Sequence, residues 1–176
     1  MSWCTRTADR CTFLRSGGGR LEISPAALEV IHSYIQDTPK KDEAGGVLLG
    51  RHLLGSNDIV VDRVTWPMRR DRRQRCRFRR ARRRHQAEID RAWRESHGTC
   101  AYLGEWHTHP DPDPHPSSTD RQDWARKLRH DEFTEPIFFV IAGTRAISIW
   151  EGWRSGVVME TTPLHMEEAR EEIPSH

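Results

Sequence analysis

The chain has 176 residues, which is long enough for one domain whose core is stable without disulfides or structural metals. Its residues are 35% hydrophobic and 31% charged, and no run approaches the ~20 apolar residues of a membrane-spanning helix, so the composition excludes a membrane protein. The formal net charge is only +2, although the charged residues are unevenly distributed.

The N-terminus and the cysteines indicate a cytoplasmic protein. The first residues, MSWCTR, lack the apolar core of a secretory signal. The cysteines contain no Cys-x-x-Cys pair, so we expect four reduced thiols: Cys4, Cys11, Cys76 and Cys100. A disulfide or a second zinc site is the less favoured alternative.

The N-terminal half predicts a flexible arm, one helix and two strands. Residues 1–20 show no sustained period and end in a glycine run, so we expect an arm outside the domain. Ser24 and Pro25 are typical of an N-cap and a first helical position, and apolar residues follow at spacings of three and four. Two apolar segments then indicate strands, at residues 43–50 and 58–64.

The C-terminal half predicts two helices and three strands. In chain order these are a helix at residues 85–97, a strand at 99–107, a helix at 117–130, and strands at 136–142 and 145–150. Central strands with flanking helices favour an α/β sandwich. We therefore expect a single domain over residues 21–158, with a central mixed β-sheet flanked by helices, and a polar tail over residues 159–176.

A candidate metal site lies at the end of the strand predicted before residue 107. His107 and His109 are one residue apart, so an extended backbone places both side chains on one face, about 6–7 Å apart. Asp120 can supply a third, oxygen ligand. Three protein ligands and one open position for water are typical of a catalytic zinc site, so the predicted cofactor is one Zn²⁺ per chain with a catalytic water.

Other interpretations of these residues remain open. Ser117 and Asp120 also fit a helix capping box, in which each side chain accepts a hydrogen bond from the other residue's backbone. Asp111, Asp113 and His115 are rival ligands in the intervening loop. Four alternating prolines in that loop favour an extended chain, which would help to return Asp120 towards the histidines.

These residues carry a family resemblance. The run His107-Thr108-His109-Pro110, followed by Ser117 and Asp120, resembles the JAMM motif of the MPN+ metalloprotease family, which includes deubiquitinases of the proteasome lid and signalosome. The segment from Glu43 to Gly50 resembles the upstream glutamate segment of that family. The resemblance covers residues 21–155 and implies a single-domain MPN/JAMM-like sandwich.

The same resemblance agrees with a chemical assignment of the remaining roles. A carboxylate is needed to take the proton of the zinc-bound water and to deliver it to the leaving amine, and we assign this role to Glu43. Ser117 would donate a hydrogen bond to the oxyanion. Glu105 competes with Glu43, because it alternates with the two histidines on one strand face, although other family members carry an aromatic residue there.

The fuller run from Gly104 to Pro110 is most similar to the bacterial branch of the family. That branch includes the deconjugating peptidases of type II CBASS antiphage operons and enzymes encoded beside bacterial ubiquitin-like conjugation systems. The resemblance implies hydrolysis of the bond after the C-terminal residue of a conjugated protein. The implied partners are a ubiquitin-like protein or nucleotidyltransferase joined through its C-terminus, and E1/E2-like conjugation proteins encoded nearby, with no membrane.

An arginine-rich segment leaves two function classes open. Between Arg69 and Arg84, eleven of sixteen residues are arginine. Solubility alone does not require so many charges of the same sign in one segment. The family resemblance implies that this segment lies where insertions contact the substrate partner, so an acidic surface of the protein substrate is the favoured partner. The alternative is a JAMM-containing protein that binds nucleic acid or is associated with DNA repair, because guanidinium groups suit phosphates. Phe78 is the only aromatic residue in the segment, so we expect nucleic acid to bind only weakly, if at all.

Overall fold

A computed structural model describes residues 11–131, 133, 136–155 and 158–167. These residues form three helices: α1 (Pro25–Ser33), α2 (Arg82–Glu95) and α3 (Ser118–His130). They also form eleven strands: β1 (Cys11–Leu14), β2 (Arg20–Ile23), β3 (Gly45–His52), β4 (Ile59–Val64), β5 (Arg72–Gln74), β6 (Arg77–Arg79), β7 (Ala101–Thr108), β8 (Ile137–Ala142), β9 (Ile147–Ser155), β10 (Val158–Pro163) and β11 (His165–Met166).

Nine of these strands form one mixed sheet, and the other two form a hairpin. The order in the sheet is β10-β9-β8-β7-β3-β4-β2-β1-β11, and β5 pairs only with β6. The pairs β2–β4 and β7–β8 are parallel, and the remaining pairs are antiparallel. The predicted α/β fold with a central mixed sheet is confirmed.

Helices cover both faces of the sheet. On one face, helix α1 contributes Ala27 and Ile31 to a core cluster that also includes Leu48 and Val140. On the opposite face, α3 packs Trp124 and Leu128 against a cluster that includes Phe139, and α2 packs Ala92 against Val47 and Leu49. Strand β8 is buried at every position, because a strand covered by helices on both faces has no solvent-facing side.

A bulge in β7 changes which side chains share a face. In the pair β3–β7, Gly104 lies opposite Leu48 and Tyr102 lies opposite Leu49, so the intervening Leu103 has no partner residue in β3. Gly104 has a φ of 144°, and a Cβ there would lie 1.9 Å from the carbonyl oxygen of Phe138, so a side chain is excluded. The close approach holds β7, which carries the two histidines, against β8.

The sheet extends beyond both expected domain boundaries. Strand β1 begins at Cys11, inside the expected arm of residues 1–20, and strands β10 and β11 continue to Met166, inside the expected tail of residues 159–176. Phe13 is buried, and Arg15 and Glu151 form a buried ion pair at 2.8 Å that joins the end of β1 to β9. Strands of two to six residues are too short to show a hydrophobic period, so composition alone suggested loose ends. Residues 1–10 and 168–176 lie outside the described residues.

The prediction of four reduced thiols is wrong for Cys11, which is disulfide-bonded. Cys76 and Cys100 are free. Disulfide formation depends on the distance between two Cα atoms rather than on short spacing in the sequence, so the lack of a Cys-x-x-Cys pair did not exclude it. Among the described residues, no helix is long and apolar enough to cross a membrane.

Candidate metal centre and catalytic site

His107 and His109 lie at the carboxyl end of β7, in the middle of the sheet. The backbone of His107 pairs with Gly45 of β3 on one side and Ile141 of β8 on the other, and the backbone N–H of His109 donates to the carbonyl of Ala142 at 2.9 Å. The Nε2 atoms of the two histidines are 3.1 Å apart. Both side chains are 14% exposed, so the pair is largely buried but still reaches solvent.

Asp120 joins the histidines from the first turn of α3. Its Oδ1 atom lies 3.4 Å from Nε2 of His107, and its Oδ2 atom lies 3.5 Å from Nε2 of His109. One ligand atom from each of the three side chains lies within 4.8 Å of the others, so a single ion can contact all three. Two imidazoles and one carboxylate are the donor set of a catalytic zinc site, and the residues therefore fit the metal.

The electrostatics of this group favour a cation. Burial alone would raise the pKa of Asp120, but hydrogen bonds with His107, His109 and Ser117 lower it far below its ordinary range. Burial alone would lower the pKa of His109, but the carboxylate of Asp120 raises it overall. Both shifts show that the site stabilises positive charge beside a carboxylate that stays ionised.

Glu43 lies beside this group, immediately before β3. The carbonyl of the next residue, Ala44, accepts from the backbone N–H of Thr108 at 2.9 Å, which aligns the chain at Glu43 with the end of β7. Glu43 is only 7% exposed, and burial raises the pKa of its carboxyl, against the opposing effect of charge on His107 and His109. The structure therefore brings Glu43, His107, His109 and Asp120 together.

Two buried polar residues that the sequence did not indicate hold this alignment. Thr108, between the two histidines, is fully buried, and its hydroxyl accepts from the N–H of Ala44 at 2.9 Å. The same hydroxyl donates to Oε1 of Gln36 at 3.1 Å. The only sequence signal for this role was the alternation that turns Thr108 away from the histidine face, towards the core.

Glu105 is also near the histidines, but its charge is already neutralised. Its carboxylate forms ion pairs with Arg80 and with Nζ of Lys127, the latter at 3.1 Å. Burial alone would raise the pKa of Glu105, but these two cations lower it overall. This carboxylate joins α3 to the segment before α2 across β7, which is a structural role.

Ser117 and the rival ligands occupy the edge of the site. The Ser117 hydroxyl donates to Oδ2 of Asp120 at 2.6 Å and accepts from the Asp120 N–H at 3.2 Å, so the capping box is present together with the metal-site geometry. Asp111 approaches only Nδ1 of His109, at 3.9 Å. His115 bonds to the backbone of Asp113, and both are exposed. Among the described residues, the group that could hold a metal therefore consists of His107, His109 and Asp120.

Comparisons with known proteins agree with this geometry. Residues 25–155 match a family described as prokaryotic homologs of the JAB domain, Prok-JAB. The chain belongs to the Prok-JAB family. A solved structure of a Desulfitobacterium hafniense protein has the same fold, with a TM-score of 0.53 and 20% identity over 83% of this chain and 88% of that one.

Three relatives of this Prok-JAB chain share one name, "CD-NTase/cGAS isopeptidase". The Pseudomonas aeruginosa protein is 36% identical over 73% of this chain and 80% of its own length. The Vibrio cholerae protein is 44% identical over 57% and 63%, and the Escherichia coli protein is 34% identical over 69% and 74%. The predicted enzyme class is confirmed: this Prok-JAB chain is a JAMM-type isopeptidase.

The arginine-rich segment of this Prok-JAB chain is folded against the site. It contains the hairpin β5–β6 and the first turn of α2, so α2 begins three residues earlier than predicted. In the hairpin, Arg72 lies opposite Arg79 and Arg73 lies opposite Phe78, so alternation places Arg73 and Phe78 on one face. That face points to Glu43, because Nε of Arg73 donates to the Glu43 carbonyl at 2.9 Å.

Proposed function

We propose that this protein is a zinc-dependent isopeptidase that hydrolyses the bond after the C-terminal residue of a CD-NTase conjugated to another protein, within bacterial antiphage defence of the CBASS type. The convergence of His107, His109 and Asp120 beside the buried carboxyl of Glu43 carries the chemistry of this proposal. The names of the three relatives support the substrate class. E1/E2-like proteins that form the conjugate are the partners that such a reaction requires.

In this mechanism His107, His109 and Asp120 hold the metal. The chemistry that zinc supplies when bound is acidification of a water molecule, to a pKa of about 7, and polarisation of the scissile carbonyl. Glu43 takes the proton from the attacking water as the new carbon–oxygen bond forms. It then delivers that proton to the amine nitrogen as the carbon–nitrogen bond breaks, leaving a carboxylate and a free amine.

The environment of Glu43 suits both halves of this proton transfer. A carboxyl whose pKa is raised by burial holds a proton more readily than an exposed one, so it can return the proton to the leaving group. Ser117 is the proposed oxyanion donor, a contact worth about 3–4 kcal/mol in comparable sites. Its hydroxyl donates to Asp120 in the absence of substrate, so it must exchange this acceptor for the substrate oxygen.

The first prediction tests metal dependence. The purified protein should contain about one zinc per chain and should cleave a CD-NTase that carries a reporter protein on its C-terminal residue. A chelator should abolish cleavage, and zinc should restore it. His107→Ala and Asp120→Asn should both lose zinc, and the asparagine keeps an oxygen that can cap α3, so its fold should persist.

Asp113→Asn is the matched control, because Asp113 is an exposed acid in the neighbouring loop. It should keep both zinc and activity. Full zinc content and full cleavage in His107→Ala and Asp120→Asn would overturn the ligand assignment. Zinc content without cleavage of any conjugate would instead leave the metal site intact and refute the substrate class.

A further inference from the structure

The segment that carries Glu43 has no regular structure of its own. Between the end of α1 at Ser33 and the start of β3 at Gly45, the chain forms turns, a bend and residues without regular secondary structure. A side chain on such a segment is held in one orientation only if bonds from outside the segment fix its backbone. Glu43 is nevertheless almost completely buried beside the metal group.

The hairpin β5–β6 contacts the segment that carries Glu43 through both of its strands. The Glu43 N–H donates to the carbonyl of Gln74 at 2.9 Å. The Glu43 carbonyl accepts from Nε of Arg73 at 2.9 Å, and the ring of Phe78, on the other strand, packs against Gly45. Both strands of the hairpin therefore help to fix the backbone at Glu43.

Arg73 makes the contact that only an arginine can make here. While Nε bonds to Glu43, Nη2 of the same guanidinium donates to the carbonyl of Asp42 at 3.0 Å, so one planar group binds two successive carbonyls. The guanidinium carbon also lies 5.7 Å from the ring centre of Tyr34, and that ring contacts Trp106 beside His107. Contacts on two sides therefore fix the orientation of the Arg73 guanidinium group.

The far end of the hairpin is anchored as firmly. The carboxylate of Asp71 accepts from the N–H groups of Met68 and Ala81, both at 2.7 Å, and so ties the two ends of the hairpin together. It also bonds to Nε2 of buried His85 at 3.0 Å, and Nδ1 of His85 lies 2.7 Å from the hydroxyl of Thr65, which accepts from the N–H of Val47 in β3. The hairpin therefore cannot shift without breaking buried bonds to the sheet.

We propose that Arg73 is a positioning residue for the catalytic step: it acts through Glu43, by holding the carbonyls of Asp42 and Glu43 so that the carboxylate faces His107, His109 and Asp120. This assignment rests on the proposed function, since it requires Glu43 to be the base. Among the described residues, the Arg73 guanidinium contacts two backbone carbonyls and the ring of Tyr34, and not the candidate metal ligands. Its loss should therefore change the rate of the chemical step and leave substrate affinity and zinc binding unchanged.

The test compares Arg73→Ala and Arg73→Lys with Arg83→Ala, an exposed arginine in the first turn of α2. Steady-state cleavage of a CD-NTase carrying a reporter on its C-terminal residue is measured per folded, zinc-loaded chain. For Arg73→Ala, kcat should fall roughly 10- to 100-fold, the scale of a ~1 Å misplacement of a reacting group, with KM nearly unchanged. Arg73→Lys should recover part of the loss, because an ammonium keeps the charge but not the fork.

Three outcomes would overturn the inference or separate it from the proposed function. An unchanged kcat for Arg73→Lys and Arg73→Ala, in an enzyme that Glu43→Gln inactivates, refutes the positioning role alone. An increase in KM at constant kcat would make Arg73 a docking residue. Activity retained by Glu43→Gln would refute the base assignment on which both proposals depend. If Arg73→Ala does not fold, Arg73→Lys decides the question.

Discussion

Two glutamates approach the candidate metal group, and their neighbours assign them different tasks. Glu105 lies between Arg80 and Lys127, and these cations keep its carboxylate ionised. Glu43 makes no ion pair with any described lysine or arginine, and burial raises its pKa. A carboxyl that must both accept and return a proton needs an environment like that of Glu43, because two neighbouring cations stabilise the ionised form of Glu105 and oppose its protonation.

The second prediction separates the two carboxyl groups. Glu43→Gln should keep zinc and thermal stability and lose activity by several orders of magnitude, because an amide can neither accept nor return the proton. Glu105→Gln should keep most of its activity and lose about 1–3 kcal/mol of unfolding free energy, because Arg80 and Lys127 lose a charged partner. Cleavage rates and urea unfolding measure both effects. The reverse ranking of the two activities would transfer the base role to Glu105.

The candidate metal ligands could be predicted from the sequence because strand alternation groups His107 with His109. The same alternation groups them with Glu105, so the preference for Glu43 as the base depended on the family resemblance, and the fold adds that Arg80 and Lys127 pair with Glu105. Gln36 and Arg73 could not be predicted in the same way. Their roles depend on contacts between segments that are distant in the chain, and no periodic pattern records such contacts.

At the scale of elements, one buried carboxylate organises the hairpin β5–β6. Asp71 and His85 are both fully buried, and with Thr65 they form a continuous row of hydrogen bonds into β3. Burial lowers the pKa of His85, although the adjacent Asp71 acts in the opposite direction. A neutral imidazole fits the row, since it can donate to Asp71 from Nε2 and accept from Thr65 at Nδ1.

The third prediction concerns the pH dependence of this row. In the folded state His85 stays neutral below the ordinary pKa of histidine. As the pH falls, the unfolded chain therefore binds a proton at His85 before the folded chain does. The stability that His85 contributes is therefore present near neutral pH and is lost as the solution is acidified. Wild type should lose more unfolding free energy between about pH 7 and pH 5.5 than His85→Gln does.

The control for this comparison is His130→Gln, which removes an exposed histidine at the end of α3. Its stability should follow the wild-type pH profile, because this substitution leaves His85 and its hydrogen bonds to Asp71 and Thr65 intact. Parallel profiles for wild type and His85→Gln would show that His85 does not resist protonation. Unfolding curves in denaturant at each pH provide the measurement.

The elements that could be predicted are those long enough to show a period. The helix that begins at Ser24–Pro25 and the strands β3, β4, β7 and β8 are found where apolar spacing indicated them. The hairpin β5–β6 could not be predicted, because its strands have three residues each and are rich in arginine, and like charges at opposite positions disfavour strand pairing. Contacts with the segment around Glu43 stabilise it instead.

At the scale of the whole molecule, the six arginines of residues 72–80 divide into two groups. Arg73, Arg75 and Arg80 bond to described carbonyl or carboxylate groups of the same chain. On the opposite face of the hairpin, Arg72, Arg77 and Arg79 are exposed and make no ion pair with any described residue. We call these three residues the outer arginine face.

Without a bound partner, the charges of the outer arginine face destabilise the hairpin. Arg72 lies directly opposite Arg79 in the hairpin, and like charges at opposite positions destabilise a strand pair. A negatively charged partner would relieve this repulsion, and the inner face of the same hairpin contacts Glu43. A partner bound there would be separated from Glu43 by the two-stranded hairpin alone, which favours an acidic surface on the conjugated protein over an unrelated ligand.

The final prediction concerns this surface. Replacement of Arg72, Arg77 and Arg79 together by glutamate should raise KM for the CD-NTase conjugate, while kcat, zinc content and the cleavage of a short unfolded reporter remain nearly unchanged, because only docking of a folded partner needs the charge. The same three changes at Arg82, Arg83 and Arg84 alter the net charge equally in the first turn of α2, where glutamate is favourable. An equal loss in both variants would assign the effect to overall charge and refute a specific surface.

If the outer arginine face served nucleic acid instead, the unaltered protein would bind oligonucleotides with a steep salt dependence. Tight oligonucleotide binding that persists at about 200 mM salt, without cleavage of any C-terminally conjugated protein, would replace the proposed conjugate substrate with nucleic acid.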